Sequence, residues 1–144
     1  MSEFSQAILV TGARQVGKTT MLRHLAQGTN RTYVSLYNSM VRILAKEDPV
    51  LFFQTSKPPI IIDEIQYATE LFTQIKIICD NSKEIGLFWL IASQGYKMMK
   101  GVSETLAGRI IILTLFSLST AEKTIQDGMM SLGIILLIFL MKSS

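Results

Sequence analysis

Short, unbroken apolar runs alternate with helix-length segments along most of the chain. These runs predict strands over residues 8–11, 32–36, 60–63, 87–92 and 110–115. Unbroken apolar runs are typical of parallel strands that helices cover on both faces, and the spacing between them suits right-handed crossover helices. The pattern therefore predicts an α/β fold, a three-layer α/β/α sandwich with a mainly parallel sheet of about five strands.

Helices are predicted in the segments between these strands. We expect one helix to begin near Lys18 and others to cover residues 39–45, 48–54 and 94–100. Asp48 followed by Pro49 is a typical helix start, with an N-cap residue and then a first-turn proline. The two prolines at 58 and 59 then end the helical segment and lead into the third strand.

Composition limits the chain to one hydrophobic core. The 144 residues are 49% hydrophobic and include one cysteine, Cys79. This length suits a single domain, and a lone cysteine excludes an internal disulfide, so we expect a reducing compartment and a cytoplasmic location. The net charge of +3 comes from Lys and Arg residues scattered along the chain without a basic run. Nucleic-acid binding is therefore permitted but not indicated.

A complete G-x-x-x-x-G-K-[ST] string follows the first predicted strand. Its residues are Gly12, Ala13, Arg14, Gln15, Val16, Gly17, Lys18 and Thr19. The two glycines let the backbone wrap closely around phosphates, and the following helix points its free N–H groups at the anion. The Lys18 ammonium can reach the β- and γ-phosphates, and the Thr19 hydroxyl is placed to ligate Mg²⁺. The alternative is a chance match in a glycine-containing turn.

Two further residues of this region have weaker assignments. Thr20 either contacts the α-phosphate or only lies in the first helical turn. Arg14 lies at the crest of the loop, where solvation suits it better than catalysis. Both residues are kept as nucleotide-binding candidates.

The third predicted strand ends in two acidic residues, Asp63 and Glu64. An aspartate at this point can hold hydrated Mg²⁺ beside Thr19, and the next residue can orient and deprotonate an attacking water. We therefore assign Thr19 and Asp63 to the metal, and Glu64 and Lys18 to catalysis. In the alternative, Asp63 caps the following helix and Glu64 is an acid of its first turn.

Ser93 is the first polar position after the fourth predicted apolar run. In a nucleotide-binding sheet it would lie between the ends of the first and third strands, where its hydroxyl can hydrogen-bond the γ-phosphate or the water, a catalytic role. Its alternative role is the N-cap of the helix at 94–100, and the two roles can coexist. Arg109 precedes the fifth strand and so lies at the opposite edge, which favours a structural or intersubunit contact. The alternative for Arg109 is catalysis, mainly in trans at a neighbouring subunit's site.

Together these segments resemble a family of bacterial and archaeal AAA-superfamily P-loop ATPases. The resemblance is carried by residues 11–20, 61–66, 87–94 and 103–109 and covers roughly residues 6–122. It implies ATP and Mg²⁺ as ligands, hydrolysis, and an additional C-terminal domain of poorly understood role. The family's Walker A, Walker B and polar sensor residues match Gly12, Gly17, Lys18, Thr19, Asp63, Glu64 and Ser93.

Two positions depart from the family pattern. Members commonly have an acid after the second strand, where this chain has Tyr37 and Asn38. Members also commonly have Thr-Gly before the sensor serine, where this chain has Ile91 and Ala92. Neither departure removes a group from the hydrolysis chemistry.

The end of the chain does not match the family's second domain. Residues 134–141 are unbrokenly apolar, but a bilayer-spanning helix needs about 20 residues, so we expect no stable membrane insertion. We divide the chain into an AAA-type P-loop ATPase domain at residues 1–122 and an apolar C-terminal tail at residues 123–144. The tail is interpreted either as a buried helix or strand or as a truncated or frame-altered terminus.

The expected function is Mg²⁺-dependent binding and hydrolysis of ATP, with in-line attack of water on the γ-phosphate. The alternative is a non-hydrolysing nucleotide-binding or interaction module. A phosphotransferase would need an acceptor pocket, and Glu64 directly after Asp63 favours water as the acceptor. ATP is preferred to GTP on the resemblance alone. Because a neighbouring subunit often completes AAA-type sites, a homo-oligomer is kept among the partner expectations.

Overall fold

The fold is a parallel β-sheet between two layers of helices. The computed structural model describes residues 6–12, 18–27, 29–93 and 96–115. The strands are β1 (Ala7–Gly12), β2 (Thr32–Ser35), β3 (Ile60–Asp63), β4 (Phe88–Ser93) and β5 (Ile110–Leu115). The helices are α1 (Lys18–Leu25), α2 (Ser39–Glu47), α3 (Pro49–Thr55), α4 (Leu71–Asp80) and α5 (Tyr96–Thr105), with a short 3-10 helix at Ile65–Tyr67.

The described strands form one five-stranded sheet in the order β2-β3-β4-β1-β5. All of the pairings between them are parallel. Because the strands run in one direction, their last residues lie along one edge, here called the carboxyl edge, which includes Gly12, Asp63 and Ser93. Gly12 and Ser93 are direct partners in the register of β1 and β4. The position predicted for Ser93, between the ends of the first and third strands, is confirmed by this order.

Helices cover both faces of the sheet. On one face, Leu22 of α1 packs into a cluster with Ile8, Ile61 and Trp89. On the other face, side chains of α2 to α5 form a larger buried cluster with alternate residues of β1, β3 and β4. Strands that are covered on both faces need apolar residues at consecutive positions, which explains the unbroken runs in the sequence. The prediction of a three-layer α/β/α sandwich is confirmed.

Capping residues set the starts of the two helices between β2 and β3. The Asn38 side chain accepts hydrogen bonds from the backbone N–H groups of Met40 and Val41 at the start of α2. The Asp48 side chain accepts one from the Leu51 N–H at 3.0 Å, and Pro49 occupies the first turn of α3. The predicted N-cap role of Asp48 is therefore confirmed.

The predicted end of the helix over residues 94–100 is wrong. Residues 94 and 95 lie outside the described residues, and helix α5 is described from Tyr96 to Thr105. Val102 is fully buried, and Leu106 packs into the same core cluster. Burial of these two side chains stabilises the helix beyond Gly101, where the sequence offered a helix-breaking residue.

The apolar tail at residues 123–144 lies outside the described residues. Within the part of the chain that is described, no helix combines the length and the apolar character required to cross a bilayer.

Candidate functional site

The glycine-rich string connects β1 to α1 at the carboxyl edge. β1 ends at Gly12, whose φ of 149° lies in a region that residues with a side chain rarely adopt. Ala13, Arg14, Gln15, Val16 and Gly17 lie outside the described residues. Lys18 is the first residue of α1, and Thr20 lies in its first turn. The N-terminus of α1, which favours anions, therefore lies at the same edge of the sheet as the end of β1.

Asp63 and Thr19 are in direct contact. Asp63 ends β3 and is only 6% exposed. The Thr19 hydroxyl donates a hydrogen bond to Asp63 Oδ2 over 2.9 Å, although the two residues are 44 positions apart in the sequence. The structure thus brings together the two residues that the sequence assigned to a metal.

The oxygen atoms at this point suit Mg²⁺. Asp63 Oδ1 is buried and has no hydrogen-bond partner among the described residues. A buried carboxylate oxygen without a partner is unfavourable, and a cation beside it would compensate that cost. Mg²⁺ prefers oxygen ligands, retains several waters and commonly uses one or two carboxylates together with phosphate oxygens. Thr19 and Asp63 therefore fit the ion that the family implies.

Glu64 adopts a left-handed backbone conformation directly after β3. Its φ and ψ are 59° and 47°, and it is the N-cap residue of the 3-10 helix Ile65–Tyr67. The Glu64 side chain makes no capping hydrogen bond to that helix. The alternative in which Asp63 caps the following helix is therefore wrong, because its carboxylate is bonded to Thr19 instead. Non-glycine residues held in this conformation are uncommon and often occur at functional sites.

Two side chains hold the carboxylate of Glu64. The Ser93 hydroxyl donates to Glu64 Oε1 over 3.1 Å, and the Gln66 amide donates to Glu64 Oε2 over 2.6 Å. Glu64 itself is partly exposed, in contrast to the buried Asp63. The two neighbouring acids therefore have different surroundings, one beside the start of α1 and one beside the end of β4.

Ser93 is the last residue of β4. Residues 94 and 95, where the helix that Ser93 would cap was predicted to start, lie outside the described residues. The described contact of its hydroxyl is with Glu64. This contact was not predicted, because the sequence does not reveal which side chain faces the end of β4.

Tyr33 is a residue of this region that the sequence analysis missed. Its hydroxyl donates to Asp63 Oδ2 over 2.7 Å, the same oxygen that accepts from Thr19. Burial, and then the hydrogen bond and charge of Asp63, raise the pKa of Tyr33, so the phenol remains a protonated donor. Gln66 was missed as well. The sequence offered only the positions of these residues as a clue, since Tyr33 lies in a predicted strand and Gln66 lies two residues after Glu64.

Arg109 lies away from these residues, next to the start of β5. Its Nε atom forms a salt bridge with Asp80 Oδ1 at 2.6 Å. Its Nη1 donates to the carbonyl oxygen of Ala107 over 2.8 Å. Both contacts are structural contacts within the chain, in agreement with the structural interpretation of Arg109.

A phosphate-loop string between an interior parallel strand and a helix, with an acid at the end of the next strand but one in the sheet, defines a P-loop nucleotide-binding domain. A family model described as an AAA domain matches residues 4–124. The chain therefore belongs to the AAA domain family, as the resemblance predicted.

Similar proteins include two uncharacterized proteins, from Mycobacterium bovis and Mycobacterium tuberculosis. Each is 29% identical to this chain over 115 residues, which cover 80% of this chain and 26% of the relative. The chain thus spans about a quarter of the length of these curated relatives. Among solved structures, shikimate kinase from Acinetobacter baumannii in complex with shikimate matches with a TM-score of 0.43 and 18% identity. That match covers 97% of this chain and 76% of the kinase.

Proposed function

We propose that this chain binds ATP with Mg²⁺ at the carboxyl edge of its sheet and hydrolyses the γ-phosphate by in-line attack of water. The observation that carries the proposal is the pair of acids at the end of β3. Asp63 contacts Thr19 at the start of α1, whereas Glu64 is held by Ser93 and Gln66. Such a pair allows one acid to serve a metal while its neighbour serves the water.

The phosphates would be bound by the loop and by the first turn of α1. In this proposal the backbone N–H groups of residues 12–19 surround the phosphate oxygens, Lys18 supplies an ammonium and Thr20 contacts the α-phosphate. Thr19 and Asp63 would hold Mg²⁺, which when bound neutralises phosphate charge. Positioning and charge neutralisation then account for most of the rate enhancement, because phosphoryl transfer needs little covalent participation from the protein.

Glu64 is proposed as the general base. Each oxygen of an ionised carboxylate has two lone-pair positions, so a bond from Ser93 or Gln66 leaves one position free for water. Glu64 would accept a proton from the water as the water oxygen attacks phosphorus in line. Its partly exposed side chain can meet solvent, whereas the buried Asp63 cannot do so as readily. Ser93 would orient this carboxylate by donating its one hydroxyl proton to it, and the hydroxyl oxygen could still accept a hydrogen bond from the water, which is one of the two contacts predicted from the sequence.

Release of inorganic phosphate by the purified chain tests this proposal. ATP and GTP would each be supplied with Mg²⁺ and with EDTA, over a range of protein concentrations. We expect Mg²⁺-dependent release from ATP, and specific activity that rises with concentration would indicate that a neighbouring subunit completes the site. Calorimetric binding of ATP without any phosphate release would instead support the non-hydrolysing nucleotide-binding alternative.

A further inference from the structure

We propose that Tyr33 is a positioning residue that fixes the carboxylate of Asp63 for a divalent cation. This inference rests on the proposed Mg²⁺-dependent nucleotide binding and names a residue outside the motifs that suggested it. Tyr33 lies on β2, whereas the phosphate loop, the two acids and Ser93 belong to β1, β3 and β4.

Two hydrogen bonds fix one oxygen of the Asp63 carboxylate. Its Oδ2 atom accepts hydrogen bonds from Thr19 at 2.9 Å and from Tyr33 at 2.7 Å. Oδ1 is buried and has no partner among the described residues. Two donors on one oxygen fix the rotation of the carboxylate and leave the other oxygen with free acceptor capacity. Hydrogen bonds of this kind commonly orient carboxylates that bind metals.

Tyr33 also lies against helix α1. In the register of β2 and β3, Tyr33 is opposite Ile61, so its side chain is on the α1 face of the sheet. The guanidinium of Arg23 lies 4.6 Å from the centre of the Tyr33 ring. Arg23 is one helical turn beyond Thr19 and therefore on the same side of α1. Helix α1 thus contacts the Tyr33–Asp63 pair through both the Thr19 hydroxyl and the Arg23 guanidinium.

Removal of the phenol oxygen alone tests this role. Tyr33→Phe keeps the ring and its contact with Arg23, and Tyr37→Phe is the matched control because the Tyr37 side chain is 69% exposed. ATP binding would be measured by calorimetry in EDTA and at a series of MgCl₂ concentrations. We expect Tyr33→Phe to bind ATP in EDTA like the parent, but to need roughly 10-fold more MgCl₂ for the same gain in affinity. Tyr37→Phe should match the parent throughout.

A merely structural role for the phenol would weaken ATP binding equally with and without MgCl₂, and that result would overturn the inference. So would a MgCl₂ dependence identical to that of the parent. If the affinity of the parent protein for ATP does not respond to MgCl₂, the proposed Mg²⁺-dependent nucleotide binding is wrong. If the parent responds and Tyr33→Phe responds identically, only the role of Tyr33 is wrong.

A double-mutant cycle with Asp63→Asn gives a second test that does not depend on the absolute stability of either variant. If Tyr33 acts through Asp63, the change Tyr33→Phe should not alter the MgCl₂ dependence any further in the Asp63→Asn background. Fully additive effects of the two substitutions on that dependence would show that Tyr33 acts independently of Asp63, contrary to the inference.

Discussion

The left-handed backbone at Glu64 directs its side chain from the end of β3 toward Ser93, and its energetic cost can be isolated with two variants. Glu64→Ala and Glu64→Gly lose the same hydrogen bonds from Ser93 and Gln66, so those losses cancel when the two variants are compared. The remaining difference in stability between the two variants comes from the backbone conformation at residue 64, whose φ is 59°. A residue with a Cβ loses about 1–2 kcal/mol in this conformation, and glycine loses about 0.5–1 kcal/mol more conformational entropy on folding. Taking the middle of each range, Glu64→Gly should therefore be more stable than Glu64→Ala by about 0.75 kcal/mol.

Urea unfolding, followed by circular dichroism, would measure this difference. With an m-value of about 1.5 kcal/mol/M, the midpoint of Glu64→Gly should be about 0.5 M higher than that of Glu64→Ala. Thr73, exposed within α4, provides the control pair. There the order should reverse, because alanine is favoured over glycine inside a right-handed helix. If alanine is as stable as glycine at position 64, the backbone there is not left-handed and the reasoning is refuted.

Three further predictions concern residues elsewhere in the chain. Lys18→Ala should abolish ATP binding in calorimetry, because the phosphates lose the loop ammonium while keeping their charge; unchanged affinity would contradict the phosphate-loop assignment. Burial, and then the charge of Asp80, raise the pKa of Cys79 to about 11, so at pH 9 the folded thiol stays protonated while the unfolded one ionises. Iodoacetamide should therefore modify Cys79 much faster in urea than in native buffer, and equal rates would show that the thiol is accessible. Arg109→Ala should leave phosphate release unchanged and cost no more than about 1 kcal/mol in urea unfolding, since it removes a partly exposed ion pair. A loss of turnover would assign Arg109 to catalysis.

The sheet could be predicted from the sequence because its strands are covered on both faces. In β1, residues Ala7 to Val10 are no more than 1% exposed, and burial on both sides forces consecutive apolar residues. The phosphate-loop string and the acids after β3 could also be located from the sequence, because each directly follows an unbroken apolar run that predicts a buried strand. Their convergence at one edge then follows from the parallel direction of the strands.

The contacts of Tyr33 and Ser93 could not be predicted, because they depend on which side chains face one another across the sheet. The contact of Gln66 with Glu64 is local and depends on the backbone conformation after β3. Tyr33 reaches Asp63 only because β2 pairs with β3 in a register that places Tyr33 opposite Ile61, two residues before Asp63. The direction of the Glu64 side chain depends on a backbone conformation that a glutamate does not signal. The end of α5 was missed because burial of Val102 outweighs the low helix propensity of Gly101.

The central claim is that Glu64 deprotonates the attacking water while Asp63 serves the metal. Phosphate release from ATP by Glu64→Gln, compared with the parent, tests this claim most directly, with calorimetry to verify that ATP still binds in MgCl₂. Glu104→Gln, which changes an exposed glutamate near the end of α5, is the matched control. The account predicts that Glu64→Gln binds ATP with Mg²⁺ like the parent and releases phosphate roughly 10²-fold or more slowly, whereas Glu104→Gln is unaffected. Phosphate release by Glu64→Gln at the parent rate would contradict the account.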